Sequence, residues 1–312
     1  MSMARRLDVQ NRRRMRIFDT IAAIVVTVGA VVYLLDTLAI RWGLNQQYIA
    51  TRYVDYLKAA QVSLYVTTIS YFIGMGIGFI LGWARSVRTP PLAKVIEVHR
   101  RTSGVAADGG RPGMIPVRAI LVHGVRYYVK RIADAYVAII RGTPLFVQII
   151  FAWSVIITYF PRMDLTLQGL LAGILALTAN TGGYQSEIFR AGITTVHSGQ
   201  VEAARAIGLS RWGAMRHVIL PQAVRLVIPP LTNEYIGLLK ASSAMVIVGA
   251  VAELTTFGRR EAFINFHVFE AFALVTGIYL LITVPVSKVI EWVERRYRVP
   301  GLGIQQERVG RE

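Results

Sequence analysis

The stretch from Val62 to Ala84 reads VSLYVTTISYFIGMGIGFILGWA and contains no charged residue. As a helix it would be about 35 Å long, more than the ~30 Å hydrocarbon core of a bilayer. Five further apolar runs flank it. Phe18 to Ile40 is broken by Asp19 and Asp36. Leu145 to Phe160 opens as early as Val137. Leu165 to Phe189 is apolar as far as Glu187. Val224 to Val251 carries Arg225, Glu234 and Lys240, and Val268 to Val286 carries Glu270. The expected fold is therefore all-α, a polytopic transmembrane helical bundle of about six spans. Composition agrees: 54% of the 312 residues are hydrophobic and 17% charged, against about 45–50% and about 25% in soluble domains. The absence of cysteine excludes disulfides and thiolate metal sites.

The net charge of +17 follows the topology. With both termini cytoplasmic, the inner segments 1–17, 85–131, 190–225 and 286–312 hold 27 of the 35 Lys and Arg residues, and the outer segments hold 6. This is the positive-inside bias, and it makes a nucleic-acid partner unnecessary. Phe18–Ile40 is too long for a signal peptide, and no small-residue cleavage site follows it, so it reads as an uncleaved anchor. The segment 85–131, with Pro90-Pro91 and the Gly/Pro-rich run Gly104 to Gly113, reads as a cytoplasmic loop. Its ten basic and two acidic residues suit either a solvated linker or an anionic inner leaflet. Gly74, Gly78 and Gly82 share one face of the second span, a spacing that lets another helix approach closely.

No phosphate loop, H-E-x-x-H motif or paired-carboxylate constellation is present, and the five histidines are scattered. The chain reads as a transport subunit rather than an enzyme, with no metal or cofactor expected. If it pumps, a separate chain must hydrolyse ATP.

One segment is too polar for membrane and too organised for a linker: SGQVEAARAIGLSRWGAMRHVILP, Ser198 to Pro221. Ser198 can cap a helix that places Glu202 near its positive end. Gly208 suits the left-handed position that ends a helix. Ser210 can cap a second helix, which Pro221 would close. The expected product is a helix–turn–helix between spans four and five, its alanines open to a partner protein.

Here the chain resembles the permeases of ABC importers. Their cytoplasmic motif E-A-A-x(3)-G-x(9)-I-x-L-P is matched by Glu202, Ala203, Ala204, Gly208, Leu220 and Pro221, with Val218 in place of isoleucine. Arg141-Gly142-Thr143-Pro144-Leu145, Asn180-Thr181-Gly182-Gly183-Tyr184 with Glu187 and Arg190, Leu238-Leu239-Lys240 with Ser242-Ser243, and Glu253-Leu254-Thr255 resemble, in order, blocks of the polar-amino-acid branch. The likeness covers roughly residues 60 to 290. It divides the chain into an N-terminus with an extra anchor (1–60), a permease domain (61–292) and a cytoplasmic tail (293–312). Span 18–40 is additional to the five-span family core, and loop 85–131 is longer than usual. His197 replaces a common proline, and Ala241 replaces a common Asp or Asn.

The resemblance implies a bacterial inner-membrane permease for a polar amino acid. It would work with an ATP-binding-cassette ATPase dimer, a second permease chain (same or homologous), and a periplasmic or lipid-anchored amino-acid-binding protein. Segment 198–221 would be the coupling helix. The alternative is a secondary transporter or channel needing no ATPase. Substrate-path candidates are Asn180, Thr181, Gly182, Tyr184, Lys240 and Ser242. The polar, glycine-containing stretch 180–184 suits either a broken-helix site or close packing with a polar contact. Lys240 suits either a substrate contact or a buried or snorkelling pair. Glu187 and Arg190, three residues apart, read as an interfacial ion pair.

Overall fold

The computed structural model describes residues 22, 25–30, 32–33, 37, 45–87, 89, 117–195 and 198–297. Most of the expected first span, most of loop 85–131, His197 and the end of the tail lie outside the described residues. The described elements are all helical: α1 (Gln46–Ser86), α2 (Val117–Gly142), α3 (Leu145–Tyr159), α4 (Leu165–Thr195), α5 (Ser198–Ala206), α6 (Arg211–Ala214), a π-helical turn (Met215–Ile219), α7 (Leu220–Ala241), a 3-10 turn (Ser242–Ile247), α8 (Leu254–Asn265) and α9 (Val268–Tyr297).

Three described helices, α1, α4 and Val268–Trp292 of α9, are long and apolar enough to cross a membrane. The bent pair α2–α3 makes a fourth crossing if taken as one. At 41 residues, α1 is about 62 Å long and outruns any hydrocarbon core. Its polar first turns persist because they are tied down. Asn45 caps Tyr48 N at 3.0 Å, Glu270 accepts from Asn45 N at 2.9 Å, and the Tyr48 and Tyr56 hydroxyls lie 3.1 Å apart.

Helix α4 is the centre of the bundle. Its residues 178–190 accept the glycine face of α1: a Cβ at Gly74, Gly78 or Gly82 would collide with α4 atoms from Thr178 to Arg190. The α4 glycines receive other neighbours, with Met245 over Gly173, Ile140 over Gly183 and Val227 over Gly192. Helix α3 runs antiparallel to α4 along its whole length, from Gln148 beside Asn180 to Phe160 beside Gln168. Helix α2 turns 107° away from α3 and so lies across the bundle axis. Pro144 forces the bend: it caps α3 with φ −63° and ψ 139°, and its ring disfavours helix at Thr143.

One expectation about proline fails. Pro221 does not close a helix; it sits in the first turn of α7, immediately after the π turn. The chain passes from α6 through the π turn directly into α7. Pro229 and Pro230 lie inside α7. They withhold the amides that would serve the carbonyls of Arg225 and Leu226.

Candidate functional site

The elbow forms at residues 198–221. Helix α5 ends in a left-handed glycine: Gly208 has φ 90°. Gly208 N donates to Arg205 O at 3.0 Å and Leu209 N to Ala204 O at 3.1 Å, the paired bonds of a Schellman cap. Ser210 then opens α6, its hydroxyl accepting from Gly213 N at 3.0 Å. Ala204 is buried where α5 packs against α6 and the π turn. Glu202, Ala203, Leu220 and Pro221 are exposed. So are Ile207 (81%) and Trp212 (67%), leaving an apolar surface beside Glu202.

An open cavity of about 490 Å³ lies between the α2–α3 bend, α4 and α7. Arg141, Thr143, Asn180, Tyr184, Glu234 and Ala241 are among its walls. Four glutamine and asparagine contacts build the bend. Gln148 Nε2 donates to Ile140 O at 2.7 Å, Thr143 O at 3.1 Å and Thr143 Oγ1 at 2.8 Å, serving carbonyls that the break at Pro144 leaves open. Gln148 Oε1 accepts from Asn180 Nδ2 at 3.2 Å, fixing the amide of Asn180 at the cavity edge. Opposite, Thr181 Oγ1 donates to Glu234 Oε1 at 3.2 Å. Arg141 lies over the Tyr184 ring, 5.3 Å from its centroid.

The candidate residues thus separate. Asn180 and Tyr184 line the cavity, and Thr181 stands behind Glu234. Gly182 packs against Ile77 of α1, and α4 runs unbroken through 180–184. Ser242 is buried, donating to Leu239 O at 2.7 Å. Lys240 is exposed, and Glu234 is not its partner. Sequence reasoning missed Gln148, because nothing local says that its amide reaches back over a proline bend. Arg141 and Glu234, not among the path candidates, also line the cavity.

Beside the cavity lies a charge cluster drawn from three helices. Glu187 pairs with Arg190, as its spacing predicts, at 2.8 Å. It also takes Arg85 at 2.9 Å and Arg141 at 3.4 Å, while Arg85 bonds Asp134 at 2.7 Å. Three arginines and two carboxylates leave one positive charge in excess. Glu253, of the E-L-T block, is fully buried and caps α8 through Thr255 N and Thr256 N at 2.9 and 2.6 Å; Ser63 of α1 donates to it at 3.3 Å. Its role is structural.

Comparisons with known proteins agree with this architecture. Residues 119–299 match the family described as the binding-protein-dependent transport system inner membrane component. The chain is 36% identical over 214 residues to the glutamine transport system permease protein GlnP of Escherichia coli (strain K12), an alignment covering 67% of this chain and 95% of that one. It is 38% identical over 168 residues to the probable glutamine ABC transporter permease protein GlnM of Bacillus subtilis (strain 168), covering 53% and 74%. The crystal structure of an amino acid ABC transporter with histidines superposes with a TM-score of 0.63 at 26% identity, covering 81% of this chain and 99% of that chain. A polytopic helical bundle with a polar elbow, matched along most of its length by such proteins, is a transport subunit and not an enzyme; the chain belongs to the family of binding-protein-dependent transport system inner membrane components.

Proposed function

We propose that this chain is the permease subunit of an ATP-driven importer for a polar amino acid. The observation that carries the substrate class is the cavity, which offers a guanidinium (Arg141) and a carboxylate (Glu234) with an amide (Asn180) between bend and bundle. An amino-acid zwitterion presents the complementary pair of charges, and a partly dehydrated site strengthens both attractions. The named relatives, permeases for glutamine and for amino acids, support this reading.

The elbow supports coupling to a separate ATPase dimer. Its two short helices are joined at a fixed left-handed glycine and present exposed Glu202, Ala203, Ile207 and Trp212. In this reading the elbow and both termini face the cytoplasm of a bacterium. A second permease chain, the same or homologous, completes the path, and a binding protein delivers the solute from outside.

The test is ATP hydrolysis by the reconstituted complex of permease, ATPase and binding protein, screened with polar amino acids. Stimulation by at least one is expected, lost in Glu234→Gln and in Gly208→Asp. The second variant places a side chain at φ 90°, at a cost of about 1–2 kcal/mol for the left-handed conformation, and sets a carboxylate at the joint. Stimulation by none of the amino acids, or unchanged coupling in Gly208→Asp at normal membrane levels, refutes the proposal.

A further inference from the structure

Among the described residues, helix α2 meets the bundle through its second half. Ala133 and Val137 are buried, Tyr136 donates to Ala179 O at 2.8 Å, and Lys130 Nζ reaches Val87 O at 3.5 Å. The turns before Lys130 project beyond these contacts. From Leu121 to Ile132 the helix carries an apolar stripe at i, i+4, i+7 and i+11: Leu121, Val125, Tyr128 and Ile132 are 62%, 62%, 68% and 69% exposed. At 100° per residue this stripe faces away from Ala133 and Val137. Arg131 stands about 90° round the helix from it on one side and Arg126 about 130° on the other, toward the face of Ala133 and Val137. Arg131 is steadied over the Tyr127 ring at 5.2 Å, its Nε 3.2 Å from the Tyr127 hydroxyl. Between Leu121 and Ala133 there is no acidic residue.

Orientation adds a second observation. Helix α3 runs along the bundle axis beside α4, and α2 lies 107° from it, hence near the plane of the membrane. Through Asp134 it meets the bundle at the level of Arg85 and Glu187, where charged groups replace apolar ones. An in-plane helix with an apolar stripe, basic flanks and tyrosines at the boundary is the physical form of an interfacial membrane anchor.

We infer that the first half of α2 is a binding surface for anionic phospholipid of the inner leaflet. The apolar stripe enters the acyl boundary, and Arg126 and Arg131 hold the headgroup phosphates. This rests on the orientation proposed above. Each basic residue near an anionic surface enriches such lipid by about fivefold, and salt weakens the effect. Because the last turn of α2 holds Arg141 and Gly142, walls of the cavity, the leaflet and the substrate path share one rigid element.

The chain has no cysteine, and a Cβ at Gly124, beside Arg131 on the helix, would meet nothing within 4 Å. A Gly124→Cys variant of the full chain, labelled there with a fluorophore, is placed in phosphatidylcholine nanodiscs containing a minor share of phosphatidylglycerol. A nitroxide is carried high on the acyl chain of one lipid or the other. Nitroxide phosphatidylglycerol is expected to quench several-fold more per molecule than nitroxide phosphatidylcholine. The ratio should approach one in Arg126→Gln/Arg131→Gln. Equal quenching in the parent overturns the inference. Quenching by neither lipid also overturns it, by showing the stripe covered by protein, a second copy included. Collapse of the ratio by inorganic phosphate, but not by chloride at equal ionic strength, overturns it in favour of a free-anion site. None of these readings involves ATP or an amino acid, so failure here and failure of the importer reading are separable.

Discussion

Replacing Gly78 by alanine adds one methyl group in the middle of the α1–α4 seam. That methyl would lie 2.8 Å from Gln185 Cβ, 3.1 Å from Gly182 O and 3.1 Å from Ser186 N. Two of the three are backbone atoms of α4, so no side-chain rotation relieves the contact. The helices must separate, and the same separation loosens Gly74 against Thr178–Gly182 and Gly82 against Ser186–Arg190. Overpacking of this kind costs about 1–3 kcal/mol. Gly76→Ala is the control, since a Cβ there meets nothing within 4 Å. On the same helix, two residues away, it should gain about 0.5–1 kcal/mol from the better helix former. The two variants, each purified as the full chain in one detergent, are compared by the temperature at which half the protein leaves the monodisperse peak after heating. Gly78→Ala should fall below the parent and Gly76→Ala should equal or exceed it. Equal midpoints for the two alanines would refute the idea that close helix approach is what the glycine face provides.

Two further outcomes are expected. Glu187→Gln leaves Arg85, Arg141 and Arg190 with Asp134 alone for compensation, raising the cluster from one net positive charge to two. Because the glutamate side chain is 22% exposed, the loss should fall below the about 3–5 kcal/mol of a fully buried pair. A second change, Arg85→Gln, should recover part of the lost heat stability, and strictly additive losses in that double-mutant cycle would deny the coupling. Gln148→Leu strips the donors from Ile140 O and Thr143 O, which should cost about 1–3 kcal/mol in the same heating assay and lower transport by freeing the bend; full transport at full stability would count against the bend as a cavity wall.

The elements legible in the sequence are those whose cause is local. The charge-free run at Val62–Ala84 reads as a helix because nothing in it opposes one, and Gly208 reads as a cap because few other residues accept φ 90°. The first turns of α1 were not legible, because they are tied down by Glu270, more than two hundred residues away. Pro221 misled for a related reason. It has the same chemistry at a helix's end and in its first turn, and only the continuity of the backbone tells the two apart.

The candidate site divides along the same line. The Glu187–Arg190 pair follows from a three-residue spacing, but Arg85 and Arg141 reach Glu187 from two other helices. That difference changes the meaning of Arg141. As a residue before a proline it reads as part of a bend. Placed by that bend, it touches the cluster through Glu187, the ring of Tyr184 and the open cavity at once. A guanidinium with a distant carboxylate contact at 3.4 Å on one side and empty volume on the other is held in place without being satisfied. A charged group in that state favours an anionic guest more than a fully paired arginine would, since no strong ion pair has to break before the guest binds. The bend therefore serves the cavity's chemistry as well as its shape.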